Sequence, residues 1–283
     1  MKISVLTATC RDEHTSFQIE ALRNQTFKDF EWVLIDDLYK ERATQVQWQI
    51  EDSFPFVHKA PKNITPYPSI ASPFNDGLVY CHGKLVYFMN DYVLPKPECL
   101  GRHWEVYQKY PDAMISGRGL QVTIHPRDLL TARGEYPAAD YRTMLFETYF
   151  RKDKIEEYIY EAHRDGIQNW WAGRNDSAPL EAILECNGFD EVFDGRWGGQ
   201  DADLAQRLMT YGLRYILDFH PDNIALEFEH RHGIKQSTRS EGDQQAFQHT
   251  LINRKVKDRV YISDNKRNLR KERELCLKPL ESA

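Results

Sequence analysis

The chain has 283 residues, with 37 Lys+Arg against 43 Asp+Glu and a formal net charge of -6. Hydrophobic residues make up 41% and charged residues 28%, a globular balance that argues against a disordered, collagen-like or membrane-spanning chain. No apolar run approaches the roughly 20 residues of a transmembrane helix, and the length suits one large domain with an appendage or two small ones.

The opening MKISVLTATCRDEH is too short and too soon charged for a signal peptide. Its run Ile3-Ser4-Val5-Leu6-Thr7 has the continuous apolar pattern of a strand buried on both faces of a parallel sheet. His14 to Asn24 carries Phe17, Ala21 and Leu22 at helical spacing behind a Thr15 or Ser16 cap. Glu31 to Ile35 is a second buried strand that ends in Asp36-Asp37. Glu41 to Glu51 reads as a helix, Phe56 to His58 as a short strand, and Ser69 to Cys81 as a helix closed near Gly83. Leu85 to Met89 is a fourth strand, ending in Asn90-Asp91-Tyr92, and Pro97 to Tyr110 is helical.

This alternation is the α/β signature, and ligands of open α/β sheets bind beyond the carboxyl ends of the strands. Thr7, Asp36-Asp37 and Asn90-Asp91 are therefore expected to converge on one cleft. Ile115 to Ile124 reads as strand material, Tyr141 to His163 as helix, and Asn169 to Gly173 as a loop or short strand with exposed Trp170 and Trp171. Pro179 to Cys186 is helical, and a loop from Gly195 to Gly199 leads into a helix from Asp201 to Tyr211. Arg214 to Leu217 and Ile224 to Phe228 read as strands, followed by a polar helical end with Gln244 to Ile252 and Asn265 to Leu275 free of turn residues.

Five scattered cysteines without metal or redox spacing suggest free thiols in a reducing cytoplasm, which leaves the sequons at Asn24, Asn63 and Asn175 without meaning. From Arg254 to Ala283 there are ten Lys/Arg against five Asp/Glu, so a tail of +5 follows a body of -11. Such a tail either meets an anionic partner or forms a salt-bridged helix, the latter being slightly favoured.

Four places carry chemistry. Asp36-Asp37 suits hydrogen bonds from a ribose or base, and Asp91 suits a divalent cation or a ribose hydroxyl. Trp197-Gly198-Gly199-Gln200-Asp201 sets an aromatic, two glycines and an acid at a helix start, like a sugar-stacking wall beside a general base. In Glu229-His230-Arg231-His232 either histidine is a candidate metal ligand. There is no Walker loop and no GxGxxG after the first strand, so the charge of a phosphorylated ligand must be offset by other means.

Three blocks carry a family resemblance. ISVLTATCRDEHTSFQIEALRNQTFKDFEWVLIDD resembles the start of the family-2 glycosyltransferases of the GT-A fold. ASPFNDGLVYCHGKLVYFMNDYVLPKP resembles their approach to the acidic metal-binding motif, and LECNGFDEVFDGRWGGQDADLAQRLMTYG their acceptor and catalytic-base segment. The resemblance implies a GT-A domain over residues 1–235, with a mainly parallel sheet, and a basic helical extension over 236–283. It also implies an inverting transfer of a hexosyl or pentosyl group from a nucleotide-sugar. Thr7, Asp36, Asp37, Asn90 and Asp91 would surround the donor, and Asp91 with His230 would hold Mn2+ or Mg2+. Trp197, Gly198, Gly199, Gln200 and Trp171 would meet the acceptor, and Asp201 would be the base.

Asn90 and Tyr92 stand where the family shows acids, and Gln200 where it shows Glu. The expected acceptor is a saccharide or glycolipid, with a hydroxymethylated DNA base as the less usual choice, and the enzyme is expected in the cytoplasm or peripheral at a membrane surface. A module that binds nucleotide-sugar without transferring it is the rival reading.

Overall fold

The computed structural model describes residues 1–11, 14–64, 69–122, 138–139, 152–163, 171, 173–196, 198–228 and 241–277, with the backbone alone at 138–139 and 241–246. The elements of the amino-terminal part are β1 (Ile3–Thr9), α1 (Thr15–Arg23), β2 (Phe30–Asp36), α2 (Tyr39–Ile50), β3 (Phe56–Lys59), α3 (Ala71–Leu78), β4 (Leu85–Phe88), β5 (Val93–Pro95) and α4 (Cys99–Lys109). They are followed by β6 (Ala113–Ser116), β7 (Arg118–Val122), β8 (Ala138–Ala139), β9 (Lys152–Glu156), β10 (Ile159–Ala162), β11 (Asp176–Pro179) and α5 (Leu180–Glu185). The chain continues through α6 (Gln200–Tyr211), β12 (Arg214–Asp218), β13 (Ile224–Phe228), α7 (Glu241–Lys257) and α8 (Leu269–Leu277).

A nine-stranded sheet runs in the order β3-β2-β1-β4-β11-β6-β12-β10-β9. Its strands run one way except β11, antiparallel to β4 and β6, and β10, antiparallel to β12 and β9. The continuous apolar runs are explained by burial on both faces. Val5, Trp32, Leu34 and Tyr87 pack with Ile19 and Leu22 of α1, Val46 of α2 and Leu100 of α4. The alternate residues Leu6, Val33, Val86 and Phe88 pack with Phe74 of α3, Ile183 of α5 and Leu204 of α6. A second sheet, β5-β13-β7-β8, lies beside the first.

One expectation is corrected, and one strand was not expected. The described part of Tyr141–His163, read as helix, is the antiparallel pair β9 and β10. Its charges mark a half-solvated edge hairpin whose Ile159 and Ala162 turn inward beside β12. The strand β11 escaped notice because Asp-Ser-Ala-Pro has little strand preference. Buried partners hold it instead: the Ser116 hydroxyl donates to Asp176, and Ser177 Oγ lies 2.7 Å from His103 Nδ1.

The carboxyl-terminal helices dock on the same body. The helix α7 packs on α6, and α8 packs on α3 and α5. Among the described residues no helix is long and apolar enough to cross a membrane.

Candidate functional site

The register of the parallel strands builds the site. Thr9 of β1 lies opposite Asp36 of β2, and Leu6 opposite Phe88 of β4, so the segments leaving all three strands open on one end of the sheet. Asp36 is fully buried at the turn into α2. It accepts the Leu38 N–H at 2.9 Å and two guanidinium bonds from Arg42 at 2.7 and 2.9 Å, and lies 2.9 Å from His58 Nε2. Burial alone would raise its pKa; His58 and Arg42 outweigh that and hold it below the usual value. Asp36 thus anchors the turn that presents Asp37, whose N–H donates to the Thr9 carbonyl at 3.0 Å.

Thr7 is buried within β1 and its hydroxyl accepts from Trp32 Nε1 at 3.0 Å, whereas the hydroxyl of Thr9, two residues on, meets Asp91. Thr9 Oγ1 donates to Asp91 Oδ2 at 2.8 Å, and Arg11 Nη1 donates to Asp91 Oδ1 at 2.5 Å. Burial raises the Asp91 pKa against the pull of Arg11, Thr9 and His14. Asn90 Nδ2 donates to the Tyr92 hydroxyl at 3.0 Å, and the Asn90 N–H donates to the Gly173 carbonyl at 2.9 Å. Tyr92 is half-buried, and burial lifts its pKa; Arg174 opposes that, while Glu227 and Asp201 add to it.

The loop before α6 explains its glycines. Gly198 and Gly199 have φ of 77° and 88°, the left-handed region that favours glycine. A Cβ on Gly199 would lie 2.6 Å from Gln248 Cγ, and Gln248 Nε2 donates to the Gly198 carbonyl at 2.9 Å. Asp194, before the loop, accepts the N–H groups of Ile70, Ala71 and Ser72, each at 3.1 Å, and so ties the loop to the start of α3. Asp201 is half-buried in the first turn of α6, where Gln200 Nε2 donates to it at 3.1 Å. Asp203 faces the interior, accepting from Arg207 Nε at 2.7 Å and Lys255 Nζ at 2.9 Å.

Trp171 is corrected from an exposed aromatic to a core residue: it is 1% exposed and packs against Phe88 and Tyr215. Trp197, His230, Trp170 and His232 lie outside the described residues. The residues that sequence reasoning missed are Thr9, Arg11, Arg174 and Glu227, the last two paired at 3.0 Å. Arg11 was legible in principle, since it follows the first strand where the cleft had been inferred.

The expected divalent cation does not fit the described part of this site. Both oxygens of Asp91 are engaged, by Thr9 and Arg11, and its neighbours Asn90 and Tyr92 offer no carboxylate. Among the described residues no group of three or more His, Cys, Asp or Glu is arranged to hold a metal.

No family model matches the chain, and no curated protein does. Solved structures do. The TarS 1-349 fragment from S. aureus in complex with UDP-GlcNAc superposes with a TM-score of 0.64 at 13% identity, covering 94% of this chain and 68% of that one. A second structure of S. aureus TarS gives 0.65 at 13% identity, covering 94% of this chain and 41% of that one. GalNAc-T7, solved with UDP, GalNAc and Mn2+, gives 0.63 at 10% identity over 90% of this chain and 48% of that chain. The fold is the GT-A-like α/β fold of glycosyltransferases.

Proposed function

We propose that the chain is an inverting glycosyltransferase that moves a hexosyl or pentosyl group from a nucleotide-sugar to an acceptor hydroxyl. The observation that carries this reading is the buried Asp91, held by Thr9 and Arg11 at the carboxyl ends of the parallel strands, with Asp201 half-buried at the start of α6. The fold adds support, since TarS, a protein of like fold, binds UDP-GlcNAc. In this reading the donor's nucleoside lies over the ends of β1 and β2, with Asp37 beside it. Gly198, Gly199, Gln200 and Trp197 face the acceptor. The acceptor oxygen bonds to the anomeric carbon as the bond from that carbon to the diphosphate oxygen breaks. The bonding pair leaves with the nucleoside diphosphate, and the acceptor's proton passes to Asp201. The family-2 assignment belongs to the same proposal and rests on the three sequence blocks.

A saccharide or glycolipid acceptor is favoured over DNA. Four cations of the basic tail are already engaged within the chain: Lys255, Arg267, Arg270 and Arg273. Thermal-shift screening with UDP-, GDP- and dTDP-sugars, then acceptor profiling and NMR of the product linkage, tests the reading. A protein stabilised by no nucleotide or nucleotide-sugar is not a glycosyltransferase. The rival, a binding module without turnover, draws on Gln200 and Tyr92, and single-turnover donor consumption over a mixed acceptor pool separates the two.

A further inference from the structure

We propose that Arg11, in place of a divalent cation, carries the positive charge that receives the departing diphosphate, so that transfer proceeds without metal. This rests on the glycosyltransferase reading above. Arg11 leaves the carboxyl end of β1, and its side chain and that of Asp91 are 8% and 9% exposed. The two form one buried ion pair, with Thr9 taking the second carboxylate oxygen. A divalent cation on Asp91 would compete with Arg11 for the same carboxylate and stand beside a guanidinium of like charge. Before a donor arrives, the one carboxylate of Asp91 is already balanced by the one guanidinium.

The guanidinium has capacity left. Nη1 is committed to Asp91, whereas Nε is buried with no hydrogen-bond partner among the described residues. A guanidinium is always charged, and its planar donors match phosphate oxygens in pairs. Its carbon lies 6.0 Å from the centre of the Tyr92 ring, which sets the cation at the Asn90-Asp91-Tyr92 turn. Asp91 is then a positioning residue: it fixes the guanidinium before the donor arrives, and fixed charge aimed at a developing anion costs no reorganisation. As the bond from the anomeric carbon to the diphosphate oxygen breaks, its electron pair and negative charge pass to the diphosphate beside Arg11. The acceptor's proton goes to Asp201.

The test measures UDP affinity calorimetrically and sugar transfer from UDP-GlcNAc and other nucleotide-sugars, each in EDTA and in Mn2+. Wild-type protein is expected to bind and turn over equally in both. Because Arg11→Met alone strands a buried Asp91, the informative variant is Arg11→Met with Asp91→Asn, which removes both charges. It should fold, by circular dichroism and melting, yet bind UDP in EDTA about 10- to 10²-fold more weakly. Arg11→Lys, which keeps the charge and loses the fork, should fall between the two. Strict dependence on Mn2+, or wild-type UDP affinity in the folded double variant, would overturn the role of Arg11 while leaving the glycosyltransferase reading intact. Failure of every nucleotide to bind under either condition would sink that reading itself.

Discussion

Asp201 and Asp203 stand two residues apart on one helix and face different worlds. Asp201 is half-buried at the site, with Gln200 donating to one oxygen; Asp203 is 1% exposed and holds both Arg207 and Lys255. Asp201→Asn keeps the shape and cannot accept a proton. Donor affinity should stay near wild type while transfer falls by about 10²–10⁴. Asp203→Asn should do the reverse, lowering the melting temperature while the protein that stays folded turns over near normally. An Asp201→Asn enzyme with unchanged kcat would end the mechanism, and an effect confined to melting would make Asp201 structural. At this scale the sequence was only partly legible. Acids at strand ends and glycines before a helix are local signals, and they led to Asp36, Asp91 and Asp201. Which hydroxyl of β1 serves the site, and whether a tryptophan is core or platform, depends on packing that spans the chain. Thr7 is taken by Trp32, and Trp171 by Phe88 and Tyr215.

Between elements, the strongest device is the clamp of α7 on α6. Lys255, 3% exposed, donates from Nζ to Asp190 and to Asp203, both 1% exposed, and Arg207 completes the cluster. Burial would raise the Asp190 pKa, but the Lys255 ammonium holds it below the usual value. Lys255→Met leaves the buried Asp190 without its cation and Asp203 with Arg207 alone, and such a loss costs on the order of 3–5 kcal/mol. Adding Asp190→Asn, which leaves Asp203 paired with Arg207, should recover part of it. Urea melts of the single and double variants test this; a single variant as stable as wild type would mean that the cluster is solvated and weak. The same helix sets Gln248 against the Gly198-Gly199 loop. Gly199→Ala forces a side chain onto a φ of 88° and into Gln248, so it should raise acceptor KM or lower kcat more than it changes donor affinity. The helices were readable because each buries a periodic stripe, and the central parallel strands because they are continuous apolar runs buried on both faces. The hairpin β9–β10 and strand β11 were not, because pairing with β12, β4 and β6 decides them against weak local preference.

Over the whole molecule, the asymmetry of an acidic body and a basic tail resolves into internal pairing. Arg267 Nη1 donates to Asp76 at 2.8 Å and to Glu191 at 3.1 Å, and Arg270 reaches Glu181 and Glu185 at 3.0 and 2.7 Å. Arg267 and Lys62 converge on Glu272, whose pKa they pull from 4.5 down to about 2 against a smaller opposing effect of burial. A carboxylate depressed on folding stabilises the fold above its unfolded pKa, and that stability is lost as pH falls through the folded one. Glu272 therefore contributes fully above about 4.5, and its contribution fades as pH falls toward about 2. Asp36 and Asp190, also lowered, act in the same sense. Urea midpoints should drop across this window, and Glu272→Gln should flatten part of the drop. Deleting residues 254–283 removes Lys255, Arg267 and Arg270 together, strands their acidic partners and uncovers the core contact of Leu269. The truncated chain should lose cooperative unfolding or melt far lower. Added salt should rescue little, because screening acts on exposed charge and Lys255 and Arg267 are 3% and 15% exposed. A truncated protein that melts like the full chain, and loses only salt-dependent affinity for an anionic acceptor, would show instead that the tail's charge serves a partner.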